Sequence, residues 1–321
     1  MSHEITERAN GKAEMAYVGA TPWHGLGQTL TESATIEQWK CEAGMDWTVC
    51  RSRVRYGEGD TQRVYEDQHV LYRSDTKAPL GVVSKNYKIV NPGDCLEFFR
   101  DLTAGQGFTL ETAGTLFGGK RYWALARINK EAVIKGKDRI GGYLLLSSSA
   151  DGSLATQARL TSIRVVCNNT LTAAFGAKAD ARCLHRSTFS GDRMKDQLGV
   201  SRESFDKFAE ACAALAKVRM NSMQAGEFVK KLLVEQKVTA RIDKVTELPA
   251  YQRILGLFGG AGLGSTLLSA EGTAWGAVNA VTEYVDHHAK ADHSANRLFN
   301  AWWGRGETLK NAAFAQALAL V

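Results

Sequence analysis

Three groups of residues in this chain of 321 have the types and spacing to do chemistry. The largest is cationic: Arg159, Arg164, Asn168, Asn169, Lys178, Arg182, His185, Arg186, Arg193 and Lys195 fall within 37 positions. Lysine and arginine neutralise phosphates and release their counterions, while asparagine and backbone N–H groups add hydrogen bonds. From Lys120 to Arg219 there are 18 Lys and Arg against 9 Asp and Glu, whereas the whole chain sums to +6 and the remainder to −3. A basic central third on an otherwise slightly acidic protein suits a polyanion-binding face. The alternative is a set of solvated charges scattered over different faces. Lys120-Arg121-Tyr122-Trp123 sets rings beside cations, a combination that holds single strands by base stacking. Tyr122 and Trp123 also fit ordinary strand residues, one facing in and one out.

The second group is Glu283, His287 and His293. Glu283 and His287 stand i, i+4, so one helix face would offer both to a metal ion. The HExxH arrangement is absent, and His293 falls past the expected helix end. A solvated helix face is the simpler reading. The third group is Gly259-Gly260-Ala261-Gly262-Leu263-Gly264-Ser265-Thr266. A phosphate loop needs a lysine directly before the Ser or Thr and a buried strand leading in. Here no lysine precedes Ser265 and the preceding segment reads as helix, so an inter-helix loop fits better. His24 has no identifiable catalytic partner, and no GxSxG or Ser-His-Asp pattern stands out. An enzyme is therefore the less favoured class, and no cofactor is expected.

The elements that must position these residues change character along the chain. Residues 1–20 read as a flexible arm. Thr35 to Cys41 reads as a short helix with Ser33 or Thr35 as N-cap. Alternation from Trp47 to Tyr56 predicts a strand with Arg51, Arg53 and Arg55 on one face. Further strands are predicted over Val64–Tyr65, His69–Arg73, Leu80–Ser84, Phe108–Leu116, Tyr122–Ile128, Tyr143–Ser148 and Ser153–Leu160, with a helix over Cys95–Leu102. The segment Ile163 to Leu171 is expected to open a helix. Beyond about residue 190 the spacing turns helical: Phe205, Phe208, Cys212, Leu215 and Val218, then Phe228, Leu232 and Leu233, then Trp275, Val278, Val281 and Val285. The expected fold class is α+β. An antiparallel sheet with packed helices would occupy residues 21–190 and carry the DNA-binding face, and a mainly helical region would occupy residues 191–321.

Composition is that of a globular chain, with 44% hydrophobic and 23% charged residues. The N-terminus lacks the apolar core of a signal peptide, and no run of 18 apolar residues occurs, so a cytoplasmic location and no membrane contact are expected. The six cysteines form no CxxC pair and are read as reduced, mostly buried side chains.

Several motifs together carry a resemblance. They are Pro22-Trp23-His24-Gly25-Leu26-Gly27; Tyr143-Leu144-Leu145-Leu146-Ser147-Ser148-Ser149-Ala150-Asp151-Gly152; Arg164-Val165-Val166-Cys167-Asn168-Asn169-Thr170-Leu171; and Gly272-Thr273-Ala274-Trp275 with Asn279-Ala280-Val281-Thr282-Glu283-Tyr284-Val285-Asp286-His287. They resemble a family of phage- and plasmid-carried proteins catalogued as a domain of unknown function. A distant similarity to single-strand annealing proteins of the RecT/Redβ type is expected at the level of fold. The resemblance implies a non-enzymatic protein of recombination or replication that binds single-stranded DNA, assembles with copies of itself and works beside phage or host recombination proteins. The contacts expected from the basic stretch, none of them carried over from the family, are Lys120, Arg121, Trp123, Arg159, Arg164, Asn168, Asn169, Lys178, Arg182 and Arg186. The alternatives are a metal-assisted enzyme on a nucleic-acid or nucleotide substrate, and a phage protein that binds a host partner.

Overall fold

Strands form where β-branched and aromatic residues alternate with polar ones, and helices where apolar residues recur every three or four positions. Both patterns are realised in an α+β fold. The computed structural model describes residues 5–19, 25–105, 107–164, 166, 169–171, 180–198, 202–239, 242–289 and 297–321. The strands are β1 (Met15–Val18), β2 (Gln28–Leu30), β3 (Val49–Tyr56), β4 (Arg63–Arg73), β5 (Pro79–Ser84), β6 (Phe108–Leu116), β7 (Arg121–Ile134), β8 (Asp138–Ser149), β9 (Thr156–Arg164), β10 (Asn169–Leu171) and β11 (Asp180–Cys183). Eight of them make one sheet in the order β10-β9-β8-β7-β6-β1-β2, with β11 also paired to β9. The other three form a separate antiparallel sheet, β3-β4-β5.

Three short helices accompany the strands: α1 (Ile36–Glu42), α2 (Pro92–Glu97) and α3 (Arg100–Gly105). Thr35 caps α1 through a reciprocal box with Gln38, which satisfies two of the otherwise orphaned N–H groups. The remaining helices are α4 (Gly191–Leu198), α5 (Arg202–Leu215), α6 (Ser222–Glu235), α7 (Pro249–Gly256), α8 (Ala274–Glu283), α9 (Arg297–Trp303) and α10 (Arg305–Leu318). Two π-helical turns, Leu257–Ala261 and Tyr284–His288, follow α7 and α8 directly. Among the described residues no helix is long and apolar enough to cross a membrane.

The chain divides into two compact units. Unit 1 comprises Met1–Asn129, Leu144–Arg159 and Lys178–Val200, and unit 2 comprises Lys130–Tyr143, Leu160–Ala177 and Ser201–Val321. Within unit 1, buried Arg73 donates to both oxygens of Glu14 and to Asp75, with its guanidinium 4.2 Å from the centre of the Trp47 ring. Within unit 2, Asp138 is buried and accepts from Ser269 Oγ at 2.7 Å and Trp275 Nε1 at 3.0 Å. Phe208 of α5 packs against Phe314 of α10.

Three expectations are corrected. Residues 5–18 are not a frayed arm: Ile5 bridges Leu116, and β1 pairs with β2 on one side and β6 on the other. The apolar side chains of Met15, Ala16 and Tyr17 are buried there. Ile163 to Leu171 does not open a helix, because Asn169–Leu171 pairs antiparallel with Ser162–Arg164. Ile163 and Thr170 are β-branched and favour extended backbone. The expected helix over Cys95–Leu102 is two short ones, α2 and α3.

Candidate nucleic-acid interface

The candidate interface lies in unit 1 and is assembled by backbone carbonyls. Tyr87 is buried, and its ring stacks on His185 with centroids 4.4 Å apart. Its hydroxyl donates to Ser149 O at 2.8 Å, and burial raises its pKa. The two ring nitrogens of His185 lie 2.9 Å from Lys88 O and 3.1 Å from Leu154 O, and Lys88 N–H donates back to His185 O. One imidazole therefore ties the loop after β5, the β8–β9 turn and the loop after β11 together. At one end, Arg51 of β3 donates to Tyr87 O at 3.3 Å. At the other, Arg121 Nε donates to Ser153 Oγ at 3.0 Å, and Ala150 N–H donates to Lys120 O. Arg121 also lies over the Phe117 ring at 4.9 Å.

The result is a connected strip of cations. Arg51, Lys88, Lys120, Arg182 and Arg186 are exposed, and Arg121 is half-buried. Asp151 also enters it; its carboxylate accepts from Ser153 N–H, closing the turn. Such a strip can neutralise successive phosphates without reading base identity.

Of the residues expected from sequence to bind nucleic acid, Lys120, Arg121 and Arg186 lie on or beside the segments tied here, and Arg182 is exposed on β11, three positions before His185. Arg159 is half-buried on β9 opposite Asp180. Arg164 and Asn169 are cross-strand partners in unit 2, while Asn168 and Lys178 lie outside the described residues. Trp123 is a correction: it is 0% exposed, and Tyr122 is buried beside it. Trp123 stands opposite Gly114 of β6, where a Cβ would lie 2.8 Å from the indole, so the glycine makes room for the ring. Tyr122 donates its hydroxyl to Val90 O. Both rings belong to the core, and neither can stack on a base. Sequence reasoning missed Lys88 altogether. It found the arginines of β3 but could not connect Arg51 to the strip, because that contact runs through a carbonyl.

The other two groups meet each other in unit 2. Glu283 is buried at the end of α8, and its two carboxylate oxygens lie 3.0 and 3.2 Å from Leu263 N, so the glycine-rich stretch closes onto a carboxylate. An N–H already held by an internal anion is not available to a phosphate. Glu283 comes within 3.7 Å of His288, five positions on, because the π-helical turn stacks residues i and i+5. Burial, then the Arg253 guanidinium, lowers the His288 pKa. Next to them Lys310 is fully buried against Asp286 at 2.6 Å. Among the described residues no group of three His, Cys, Asp or Glu could hold a metal, and His293 lies outside them.

The family described as "Domain of unknown function (DUF932)" matches residues 79–303. The chain belongs to this family. No curated protein and no solved structure matches the chain. The DUF932 segment contains Lys88, Lys120, Arg121, His185 and Arg186, and therefore most of the strip. The strands β3 and β4 and the buried Lys310 fall outside it.

Proposed function

We propose that this DUF932 protein binds single-stranded DNA without cleaving or modifying it, and that it anneals or coats strands in recombination or replication. The observation that carries the reading is the strip from Arg51 to Lys120, in which three segments of unit 1 are tied by His185 and leave their cations exposed. A polyanion lying along it would meet Arg186, Arg182, Lys88 and Lys120. Annealing needs two strands held extended with their bases free, so the working form is an assembly of several copies, alone or beside phage or host recombination proteins.

The test is the salt dependence of binding in a variant carrying Lys120→Ala, Arg182→Ala and Arg186→Ala. Each phosphate contact to a single strand contributes about 0.7 to the slope of log K against log salt. Loss of three contacts lowers that slope by about 2. An unchanged slope in a folded variant removes these residues from the interface.

A further inference from the structure

A carbonyl oxygen can only accept a hydrogen bond, and His185 faces two of them. Nδ1 lies 2.9 Å from Lys88 O and Nε2 lies 3.1 Å from Leu154 O. A neutral imidazole has one N–H and one bare nitrogen. It can serve one of these carbonyls and must turn a lone pair toward the other. Both oxygens are satisfied only when both ring nitrogens carry protons, which makes the ring an imidazolium with two charge-assisted hydrogen bonds. The Tyr87 ring lies parallel to it within 14°, and an aromatic face favours a cation over a neutral ring.

The charged and titratable groups around the ring come from four elements. The loop after β5 brings Tyr87, whose pKa burial raises, and Lys88, which is exposed. The β8–β9 turn brings Asp151, engaged with Ser153, and β3 brings Arg51, bonded to Tyr87 O. The segment of His185 itself carries Arg182, Cys183 and Arg186, and burial pushes the Cys183 thiol up. Among these side-chain types, histidine alone ordinarily changes charge between about pH 5 and 8. Loss of one ring proton removes one of the two carbonyl links and one positive charge beside Lys88 and Arg186. The β8–β9 turn, which the ring holds through Leu154 O, also receives Arg121 through Ser153 Oγ.

We propose that His185 is a proton-dependent latch of the strip: with both ring protons it adds a cation and holds the Lys88 segment and the β8–β9 turn together, and with one it releases a link and weakens the hold on single-stranded DNA. The assignment rests on the reading of the strip as a DNA track and adds the condition under which the track is assembled. Coupling between two binding events is reciprocal, so a polyanion in the track in turn favours the protonated ring.

The experiment has two arms. In the free protein, nitrogen NMR follows the His185 ring and the backbone amides of residues 86–90 and 151–155 from about pH 5 to 8. The expected result is that these amides shift with the same midpoint as the ring; amides that do not follow it overturn the latch, whatever the DNA does. In the second arm, a labelled single-stranded oligonucleotide is titrated at fixed ionic strength into wild type and His185→Gln across the same range. The variant separates His185 from the other six histidines of the chain. Wild-type affinity is expected to fall about fivefold toward the alkaline end, the worth of one hydrogen bond, and that of His185→Gln to change less. Saturating oligonucleotide is expected to move the His185 ring titration to higher pH, a readout that needs no variant. Bound DNA that leaves the ring titration unmoved overturns the coupling and keeps the strip. A protein that binds no DNA at any pH overturns the strip itself.

Discussion

Lys310 shows how much a single side chain can commit. It is wholly buried, and its ammonium lies 2.6 Å from Asp286. Removing one partner of a buried pair leaves the other charge uncompensated, which costs about 3–5 kcal/mol. Lys310→Met is expected to lose stability on that scale in urea unfolding, and adding Asp286→Asn to recover part of it. A single variant as stable as wild type would contradict the pairing. Glu97 gives a residue-level prediction in pH. The Arg100 guanidinium, helped by Lys40, brings its carboxyl down to about 2 from an ordinary 4.5. A depressed carboxyl stabilises the fold above its unfolded value and loses that contribution as pH falls from about 4.5 through 2. Arg100→Ala should return the Glu97 titration, followed by carbon NMR of the side chain, toward 4.5. Sequence could not separate Trp123 from a stacking residue, because adjacency to Lys120 and Arg121 says nothing about which face of β7 it occupies. The usable signal was Gly114, a glycine inside a strand pattern that makes room for a ring from the neighbouring strand.

Elements were legible where one period dominates. The cap at Thr35, the alternation of β3, and the helical spacing of α5, α6 and α8 could all be read from side-chain type alone. The strand β10 was not, since three residues are too few to show a period and pair only through their register with β9. The π-helical turn after α8 was not legible either. An α-helical reading pairs Glu283 with His287, whereas the turn pairs it with His288. The close approach at the start of α8 was likewise hidden. A Cβ on Gly276 would lie 2.0 Å from Ala270 O, which has no room to move without its own turn. Gly276→Ala should therefore cost about 1–3 kcal/mol or more, read as a fall in melting temperature of several degrees. An unchanged melting temperature would contradict the packing of the Ser269–Thr273 turn against α8.

At the scale of the whole molecule, the net charge of +6 understates the electrostatics, because the basic residues are gathered in the middle of the sequence and four of those singled out there share one strip of unit 1. What could not be read was the partition. Arg159 and Arg164 are five positions apart on one strand yet belong to different units. The proposed activity also requires assembly: light scattering behind size exclusion should give a mass several times that of one chain, and a strictly monomeric protein would remove annealing while leaving strand coating. The central claim is that the strip holds single-stranded DNA. Its most direct test is fluorescence anisotropy of a labelled single-stranded oligonucleotide titrated with wild-type protein across a salt series, beside a duplex of the same sequence. The expected result is binding that weakens steeply and linearly in log salt and favours the single strand. No binding of either DNA at low salt would contradict it and leave the strip a solvated surface.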